Sequence, residues 1–353
     1  MTKNKATEII WPTDSKIVVR AVFLYVGQGS STLFLIRNGS TYDCWLVDIN
    51  LDSSAGGIDI PKMMKDLLGE TSLRAFVNTH PHNDHLHGIS ELHETLSGID
   101  EILHSNHKPS KEYGSRHDDL LKVIKKVTKA GGEETILEGS KSPVDIADAK
   151  YHVLAPAKYV TDDVNDETPE KRKQRIHEHC GVVKFGKEDD WIMVVGDADR
   201  AAFENHITDY HKDRLGAFAL AGSHHGSRTF FMEKKGDDPY MDGLEAIDPS
   251  YTFISAPKRK ESPHDHPHEE AMKLYREQCG DDNVYHLGDE RLSYIVDIFD
   301  DGTYGDVEDD DGDLSADYGL EGEKVESKST SNAAGPFVRP RTATGDQVPR
   351  KYG

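Results

Sequence analysis

The sequence predicts an α/β fold in which strands and helices pack as a layered sandwich. Short runs rich in β-branched and aromatic residues recur along the 353 residues, and several are followed by stretches with the apolar spacing of a helix. Such an alternation is typical of α/β proteins and not of all-β ones. The length allows one sizeable domain with an appendage.

The first half of the chain contains most of this alternation. Strands are predicted over Lys16–Leu24, Ser31–Ile36, Asp43–Ile49, Leu73–Thr79 and Tyr151–Leu154. Helices are predicted over Ile60–Leu68, Ile89–Leu96 and Asp118–Lys129. The glycines of Val26-Gly-Gln-Gly-Ser30 permit a tight turn, so the first two strands are expected to form a hairpin. The polar insertion Val160–Lys173 has no defined predicted shape.

In the second half, the alternation continues toward the C-terminus. Strands are predicted over Gly181–Gly186, Trp191–Val195, Ala217–Ala221, Tyr251–Ser255 and Leu292–Phe299, and a helix from Glu269 to about Gln278.

One predicted hairpin brings two polar residues together. Its strands are separated by the four-residue connection Lys187-Glu-Asp-Asp190, a length typical of hairpins. If Gly186 faces Trp191, counting back along both strands places His179 beside Asp197 at one edge of the sheet. The alternative is an ordinary turn at Asp197 with His179 on the surface.

A histidine-rich loop follows the predicted strand Leu73–Thr79. It places His80, His82, Asp84 and His85 within six positions. Imidazoles and a carboxylate without a thiolate suit zinc, iron or manganese, and alternate side chains can converge on adjacent ions. The alternative, a solvated histidine-rich loop, is common for an isolated His-x-His but not for this longer pattern.

Two further histidine clusters occur at the ends of predicted elements. Gly222-Ser-His224-His225-Gly226 follows a short strand, and Asp265-His266-Pro267-His268 precedes a helix. The second cluster has an alternative interpretation as a simple helix cap.

Composition excludes several classes of protein. The net charge of −22 argues against coating long nucleic acid by electrostatics alone, although a metal site can still engage one phosphodiester. Three widely spaced cysteines give neither a disulfide framework nor a thiolate zinc site. There is no signal-like N-terminal segment and no run of eighteen apolar residues, so we expect a soluble, cytoplasmic protein without a membrane association.

The C-terminal region has a different composition from the rest of the chain. Asp297 to Glu323 holds twelve acidic residues and no Lys or Arg, and residues 324–353 are mildly basic. Because this region has few apolar residues, we predict that 306–353 is a disordered tail after a domain at 1–305. The tail is interpreted either as a solvated linker or as a short segment that binds a protein partner.

Several of these motifs together resemble the metallo-β-lactamase superfamily. Within it, the chain resembles the hydrolase domain of competence-type (ComEC-like) DNA-uptake proteins and their soluble relatives, over roughly residues 16–305. The matching segments are Val26-Gly-Gln-Gly, Leu46-Val-Asp48, Thr79-His-Pro-His-Asn-Asp-His85, Val153-Leu-Ala-Pro156, His179, Val195-Gly-Asp197, His224-His-Gly-Ser227 and His266-Pro-His268. The chain departs from the competence-type pattern at Tyr25 and Ser30, where acidic residues are common.

The resemblance implies a four-layered αββα sandwich with two divalent metal ions, zinc first and manganese or iron as alternatives. His80, His82 and His179 would hold one ion, Asp84, His85 and His225 the other, and Asp197 would bridge both. His225 is preferred to its neighbour because it directly precedes a glycine. Asp48 would fix a ligand imidazole from outside the metal sphere.

The resemblance also implies the roles of residues around the ions. Asp84 would orient a metal-bridging hydroxide, and His266 would protonate a leaving group or grip a phosphate. The candidates for substrate contact are His224, Ser227, Arg228 and Lys258.

The function implied is a phosphodiesterase or nuclease that acts on nucleic acid or a nucleotide-like ester. Hydrolysis of a lactam, lactone or thioester is the competing enzymatic interpretation, because the same hydroxide could attack a carbonyl. A flavin-linked di-iron oxidoreductase fits less well, since His82 stands where such sites usually have a carboxylate. A non-catalytic metal-bearing sensor or scaffold in a multi-protein system is the alternative of a different class.

Overall fold

The structure is a computed structural model that describes residues 5–320. Its strands are β1 (Ile17–Phe23), β2 (Thr32–Asn38), β3 (Thr41–Val47), β4 (Ala75–Asn78), β5 (Glu101–His104), β6 (Glu133–Ile136), β7 (Val144–Ile146), β8 (Ala149–Ala155), β9 (Val182–Lys187), β10 (Asp190–Val194), β11 (Ala219–Ala221), β12 (Tyr251–Ile254), β13 (Val284–His286), β14 (Tyr294–Phe299) and β15 (Glu308–Asp309). Its helices are α1 (Lys5–Ile10), α2 (Ile60–Leu68), α3 (Ile89–Thr95), α4 (Ser115–Lys129), α5 (Lys158–Asp166), α6 (Pro169–Gln174), α7 (Arg200–Ala202), α8 (Thr208–His211), α9 (Asp242–Ile247), α10 (Glu269–Cys279), α11 (Leu287–Glu290) and α12 (Asp313–Tyr318). Within these residues no helix is long and apolar enough to cross a membrane.

The strands form two sheets. One has eight strands in the order β15-β14-β1-β2-β3-β4-β5-β6, and the other has seven in the order β13-β12-β11-β10-β9-β8-β7. Each sheet combines an antiparallel part with a parallel part, which is β3 to β6 in the first and β10 to β13 in the second. Strands of the parallel parts alternate with helices, as the sequence pattern predicts.

Three hydrophobic clusters define four layers. The central cluster lies between the sheets, where Phe23 stacks on Phe253 with ring centroids 3.9 Å apart. A second cluster packs α2, α3 and α4 on the outer face of the first sheet. A third packs α10 and neighbouring helices on the outer face of the second sheet. The predicted αββα sandwich is therefore confirmed.

The β9–β10 hairpin has the predicted register. Trp191 pairs with Gly186, and the ladder continues to Val194 opposite Val183. Beyond that pair the chain leaves the ladder, which affects the position of the histidines that precede β9.

The insertion that had no predicted shape folds as two helices, α5 and α6. Thr168 caps α6 by accepting the Lys171 N–H on Oγ1 at 3.4 Å, and Pro169 begins the helix. Val160 and Val164, four residues apart on α5, are buried. Both helices pack near the loop that follows β5, where Asn165 donates to the Asn106 carbonyl.

Residues 306–320 belong to the sandwich, so the boundary predicted at 305 is too early. Strand β15 pairs with β14, and Leu314 and Tyr318 of α12 are buried against α1 and α2. Asp310 is buried and accepts the N–H groups of Ser293 and Leu314. Only two apolar residues of this acidic segment are buried in that cluster, and so short a pattern is not visible in the composition. The predicted disorder of 321–353 lies outside the described residues.

The carboxyl ends of the parallel strands converge on one edge of the sandwich. Asp48 follows β3 and the loop 79–88 follows β4, while residues 195–198, 222–227 and 255–268 follow β10, β11 and β12. Ligand sites of α/β proteins form at such edges because the loops that meet there come from several strands.

Candidate metal centre

Two groups of side chains at this edge can each hold a metal ion. The first group consists of His80, His82, His177 and Asp197, and the second of Asp84, His85 and His225. Within each group the candidate ligand atoms all lie within 4.8 Å of one another. These are nitrogen and oxygen donors, which suit zinc, manganese or iron.

Asp197 lies between the two groups. Its Oδ2 is 3.5 Å from His80 Nε2 and 3.7 Å from His177 Nε2, and its Oδ1 is 3.0 Å from His85 Nε2 and 3.7 Å from His225 Nε2. One carboxylate oxygen thus faces each group. This is the geometry that a carboxylate shared by two ions requires.

Unsatisfied buried atoms point to the same place. His80 Nε2, His85 Nε2 and Asp197 Oδ1 are buried and make no hydrogen bond of good geometry among the described residues, although His85 Nε2 and Asp197 Oδ1 lie 3.0 Å apart. Buried polar atoms are nearly always paired, so three orphaned atoms in one cluster fit divalent cations as their missing partners. The residues present therefore suit a metal centre.

The short loop after β4 brings its ligands together. Residues Asn83–His85 form a single 3-10 turn, in which the His85 N–H donates to the His82 carbonyl at 3.2 Å. This turn lets Asp84 and His85 serve one group while His80 and His82 serve the other.

Asp48 holds the loop from behind. Its Oδ2 lies 2.7 Å from His85 Nδ1 and accepts the Thr79 hydroxyl at 2.6 Å, and its Oδ1 accepts the Thr79 N–H at 2.8 Å. Asp48 is fully buried and has a left-handed backbone, with φ of 57°. A carboxylate on Nδ1 leaves Nε2 free to face the ion.

Burial and charge act in opposite directions on the two central residues. Burial would raise the pKa of Asp197, but the surrounding imidazoles, His224 first among them, hold it well below its ordinary value. Burial would lower the pKa of His85, but Asp197 and Asp48 raise it well above the usual value. The pKa of His80 is lowered, because its burial outweighs the attraction of Asp197. The cluster thus contains a firmly ionised carboxylate, which is the protonation state that a metal ligand needs.

The histidine that completes the first group is His177, where the sequence analysis places His179. The chain before β9 is coiled, since the His179 N–H donates to the Arg175 carbonyl at 3.2 Å and the Cys180 N–H to the His177 carbonyl at 3.3 Å. Extended-strand counting does not apply to such a segment. The coil turns His177 toward Asp197 and His179 away from it.

His179 instead lies in a buried polar cluster behind the centre. Its Nε2 is 2.9 Å from the Thr161 hydroxyl of α5, and its Nδ1 is 3.2 Å from His107 Nδ1. Its side chain is fully buried. This histidine therefore ties the insertion helices to the body of the protein.

His224 and His225 occupy opposite sides of Asp197. His225 Nε2 lies 3.1 Å from Asp84 Oδ2, and its Nδ1 faces the Ser255 carbonyl at 2.9 Å. His224 Nε2 is 3.5 Å from Asp197 Oδ2, and its ring packs 4.4 Å from that of His177. Both residues have left-handed backbones, with φ of 49° and 55°. The pair thus presents two imidazoles in different directions.

His266 reaches the centre from the loop after β12. Its ring is 5.4 Å from that of His224 and 6.1 Å from that of His225. Gln28 of the Gly-Gln-Gly turn places its amide nitrogen 3.5 Å from His266 Nδ1. The Ser262 hydroxyl accepts the N–H groups of His264 and His266 and donates its proton to Gln28 Oε1 at 2.8 Å.

This chain of contacts determines the tautomer of His266. Because Ser262 donates to Gln28 Oε1, the Gln28 nitrogen faces His266 Nδ1 as a donor. A neutral His266 then carries its proton on Nε2. The Gly-Gln-Gly motif marks this turn in the sequence but does not indicate the contact that Gln28 makes.

The remaining predicted contact residues lie farther from Asp197. The Ser227 hydroxyl is 3.2 Å from the Thr229 hydroxyl, and Thr229 in turn lies 3.0 Å from His224 Nδ1. The Arg228 side chain is partly buried and lies 3.6 Å from Glu270. Lys258 is exposed on the loop that leads to His266.

Comparison with known proteins gives structural similarities of low identity. No protein-family model matches the chain, and no curated protein matches it significantly. The metallo-β-lactamase fold protein YhfI from Bacillus subtilis is 14% identical, with a TM-score of 0.42 over 76% of this chain and 95% of that one. A diphosphatase from the PhnP family is 14% identical, with a TM-score of 0.40 over 80% and 99%.

A class B3 di-zinc metallo-β-lactamase, LRA-12 from an Alaskan soil metagenome, is 13% identical, with a TM-score of 0.30 over 73% and 94%. The His/Asp cluster at the edge of the αββα sandwich is a candidate site for metal ions.

Proposed function

We propose that the protein is a binuclear metal-dependent phosphodiesterase that acts on nucleic acid or a nucleotide-like ester. The observation that carries this proposal is the position of Asp197, whose two oxygens face two separate sets of metal-ligand side chains. A centre for one ion needs no shared carboxylate.

The ligand assignment follows from the two groups. His80, His82 and His177 would hold one ion, Asp84, His85 and His225 the other, and Asp197 both. Two divalent ions, when bound, supply a water of lowered pKa and stabilise negative charge in the transition state.

The protein side chains then orient the reactants. Asp84, which is partly exposed beside His225, is placed to orient the attacking water and to accept its proton. The water oxygen bonds to phosphorus while the bond to the leaving oxygen breaks. A neutral His266 carries its proton on Nε2, so it can donate a hydrogen bond to the leaving oxygen, which takes its proton from solvent.

Hydrogen-bond donors around the centre favour a phosphoester over an acyl substrate. His224 and His266 flank the ligand groups, and Arg228 lies on an adjoining loop. A phosphodiester carries a negative charge that these donors can bind. A neutral lactam, lactone or thioester would gain much less from them.

Metal analysis combined with a generic substrate tests the proposal. The purified protein is expected to bind two ions per chain and to hydrolyse bis(p-nitrophenyl) phosphate after loading with zinc, manganese or iron. Asp84→Ala should abolish turnover while leaving the fold intact. Asp145→Ala, which removes an exposed carboxylate on edge strand β7, is the matched control and should retain activity.

Three results would decide against the proposal. Full activity of Asp84→Ala would contradict the site assignment. Turnover of a lactone or thioester but not of the phosphodiester would favour the acyl alternative. Two bound ions without turnover on any of these substrates would favour a non-catalytic sensor or scaffold.

A further inference from the structure

The loop after β12 begins and ends at the candidate metal centre. We call residues 255–268 the basic loop. At its start, the Ser255 carbonyl faces His225 Nδ1 at 2.9 Å, and the Ser255 hydroxyl donates to the Gly29 carbonyl at 2.6 Å. Near its end, His266 packs against His224 and His225. The middle of the loop is therefore confined to the rim of the centre.

A tight turn exposes three consecutive basic residues at the tip of this loop. The Lys258 carbonyl accepts the N–H groups of Glu261 at 2.7 Å and Ser262 at 3.1 Å. Ser262 in turn donates to Gln28, which contacts His266. Lys258, Arg259 and Lys260 are all exposed, and they lie on the turn that this network joins to His266.

Ion pairs neutralise part of the charge near the tip. Arg259 pairs with Glu269 at 2.6 Å, and Arg291 of the next turn lies 3.5 Å from Glu261. From the neighbouring elements, Glu270 is shared by Arg228 at 3.6 Å and Lys235 at 2.9 Å.

Two ammonium groups on the loop remain without a carboxylate. Among the described residues, neither Lys258 nor Lys260 has an ion-pair partner within 4.0 Å. The exposed Asp265 is the only other carboxylate on the loop itself. A local excess of positive charge stands out in a chain whose net charge is −22.

We propose that Lys258 and Lys260 bind a phosphate next to the scissile one, so that the substrate is a short single-stranded oligonucleotide. This inference rests on the proposed phosphodiesterase function. A lysine is a point charge on a flexible stem, so it can follow the phosphates of a single strand, whose backbone has no fixed geometry. Because the rest of the chain is strongly acidic, the attraction is local and favours short strands over long ones.

The test compares two substrates in the charge-neutral double variant Lys258→Gln/Lys260→Gln of the metal-loaded full-length protein. Bis(p-nitrophenyl) phosphate has no second phosphate, whereas tetrathymidylate has several. The variant is expected to lose roughly tenfold or more in kcat/KM on tetrathymidylate near 0.1 M salt, mainly through KM, and to lose much less on the small ester. The magnitude of the slope of log(kcat/KM) against log(salt) should fall by about 0.7, the value for one phosphate contact on a single strand.

Lys125→Gln/Lys129→Gln is the matched control. These two lysines are exposed on α4 toward its C-terminal end, and their replacement should leave kcat/KM unchanged for both substrates. Binding of fluorescein-labelled tetrathymidylate, followed by anisotropy, gives a second measurement that does not depend on turnover. The basic-loop variant should bind the strand more weakly than both wild type and control.

The outcomes separate this inference from the proposed function. Equal losses on both substrates, or an unchanged affinity for tetrathymidylate, would overturn the role of the loop. Wild-type turnover of the small ester without turnover or binding of the strand would also overturn it, while leaving the phosphodiesterase proposal intact. Absence of turnover on the small ester would overturn the proposed function, and the anisotropy measurement would still decide whether the loop binds a strand.

Discussion

Replacing His177 and His179 separately by alanine distinguishes a metal ligand from a buried structural histidine two residues away. His177 Nε2 lies 3.7 Å from the shared carboxylate of Asp197 and 3.4 Å from His82 Nδ1. His179 points instead toward Thr161 and His107. Replacing His177 should therefore lower the metal content without lowering the stability, and replacing His179 should lower the stability without lowering the metal content.

The expected magnitudes follow from these contacts. A residue that merely supports a ligand contributes about 10–100-fold to metal affinity. Loss of His177, which is itself a proposed ligand, should therefore lower the affinity of the first group for its ion by at least about 100-fold. Loss of His179 leaves the Thr161 hydroxyl and the His107 ring nitrogen buried without their partner. At about 1–3 kcal/mol for each such group, we expect a destabilisation of about 2–6 kcal/mol, which corresponds to several degrees in Tm.

Metal content after dialysis and thermal unfolding of the metal-free proteins measure the two effects independently. His177→Ala should retain one ion per chain and unfold close to wild type. His179→Ala should retain two ions and unfold at a lower temperature. If His179→Ala lost an ion while His177→Ala kept both, the assignment of the first group would be refuted.

Three further predictions concern other parts of the molecule. Asp48→Asn should lower the affinity for the ion held by His85 by about 10–100-fold, as measured by competition with a chelator. Burial raises the pKa of Asp310 to about 6, so the folded protein binds this proton more tightly than the unfolded chain. The free energy of unfolding should therefore fall by about 3 kcal/mol as the pH rises from about 4 to 6. Denaturant titrations at several pH values should show a smaller fall in the free energy of unfolding between about pH 4 and 6 for Asp310→Asn than for wild type. The same dependence on pH in both proteins would contradict the assignment to Asp310. Truncation after residue 305 should lower Tm because it removes Leu314 and Tyr318, whereas truncation after residue 320 should leave hydrolysis of bis(p-nitrophenyl) phosphate unchanged.

The sequence predicts the elements that depend on local patterns. The boundaries of α2 match the predicted helix, and Gly186 pairs with Trp191 as predicted. Lys187 also pairs with Asp190, so the connection is the two-residue turn Glu188-Asp189 and not four residues long. The ladder ends at Val183, however, and the hydrogen bonds that coil residues 175–180 have no periodic signature. A count that continues past the ladder therefore selects His179 where the structure has His177.

Contacts between residues distant in the sequence were harder to predict. Gln28 meets Ser262 across 234 positions, and no local pattern relates the two. The docking of α12 depends in the same way on α1 and α2, which lie near the other end of the chain. The histidine loop after β4 is recognisable from sequence because all its candidate ligands lie within six consecutive positions.

The left-handed backbones of His224 and His225 imply that this segment gives up folding stability to present its imidazoles. Two consecutive non-glycine residues with positive φ cost of order 1–3 kcal/mol each. Glycine adopts this conformation without penalty, so His224→Gly should be more stable than both His224→Ala and the wild type. Selection for stability alone would replace His224 by glycine, and its presence is best explained by a requirement for the side chain.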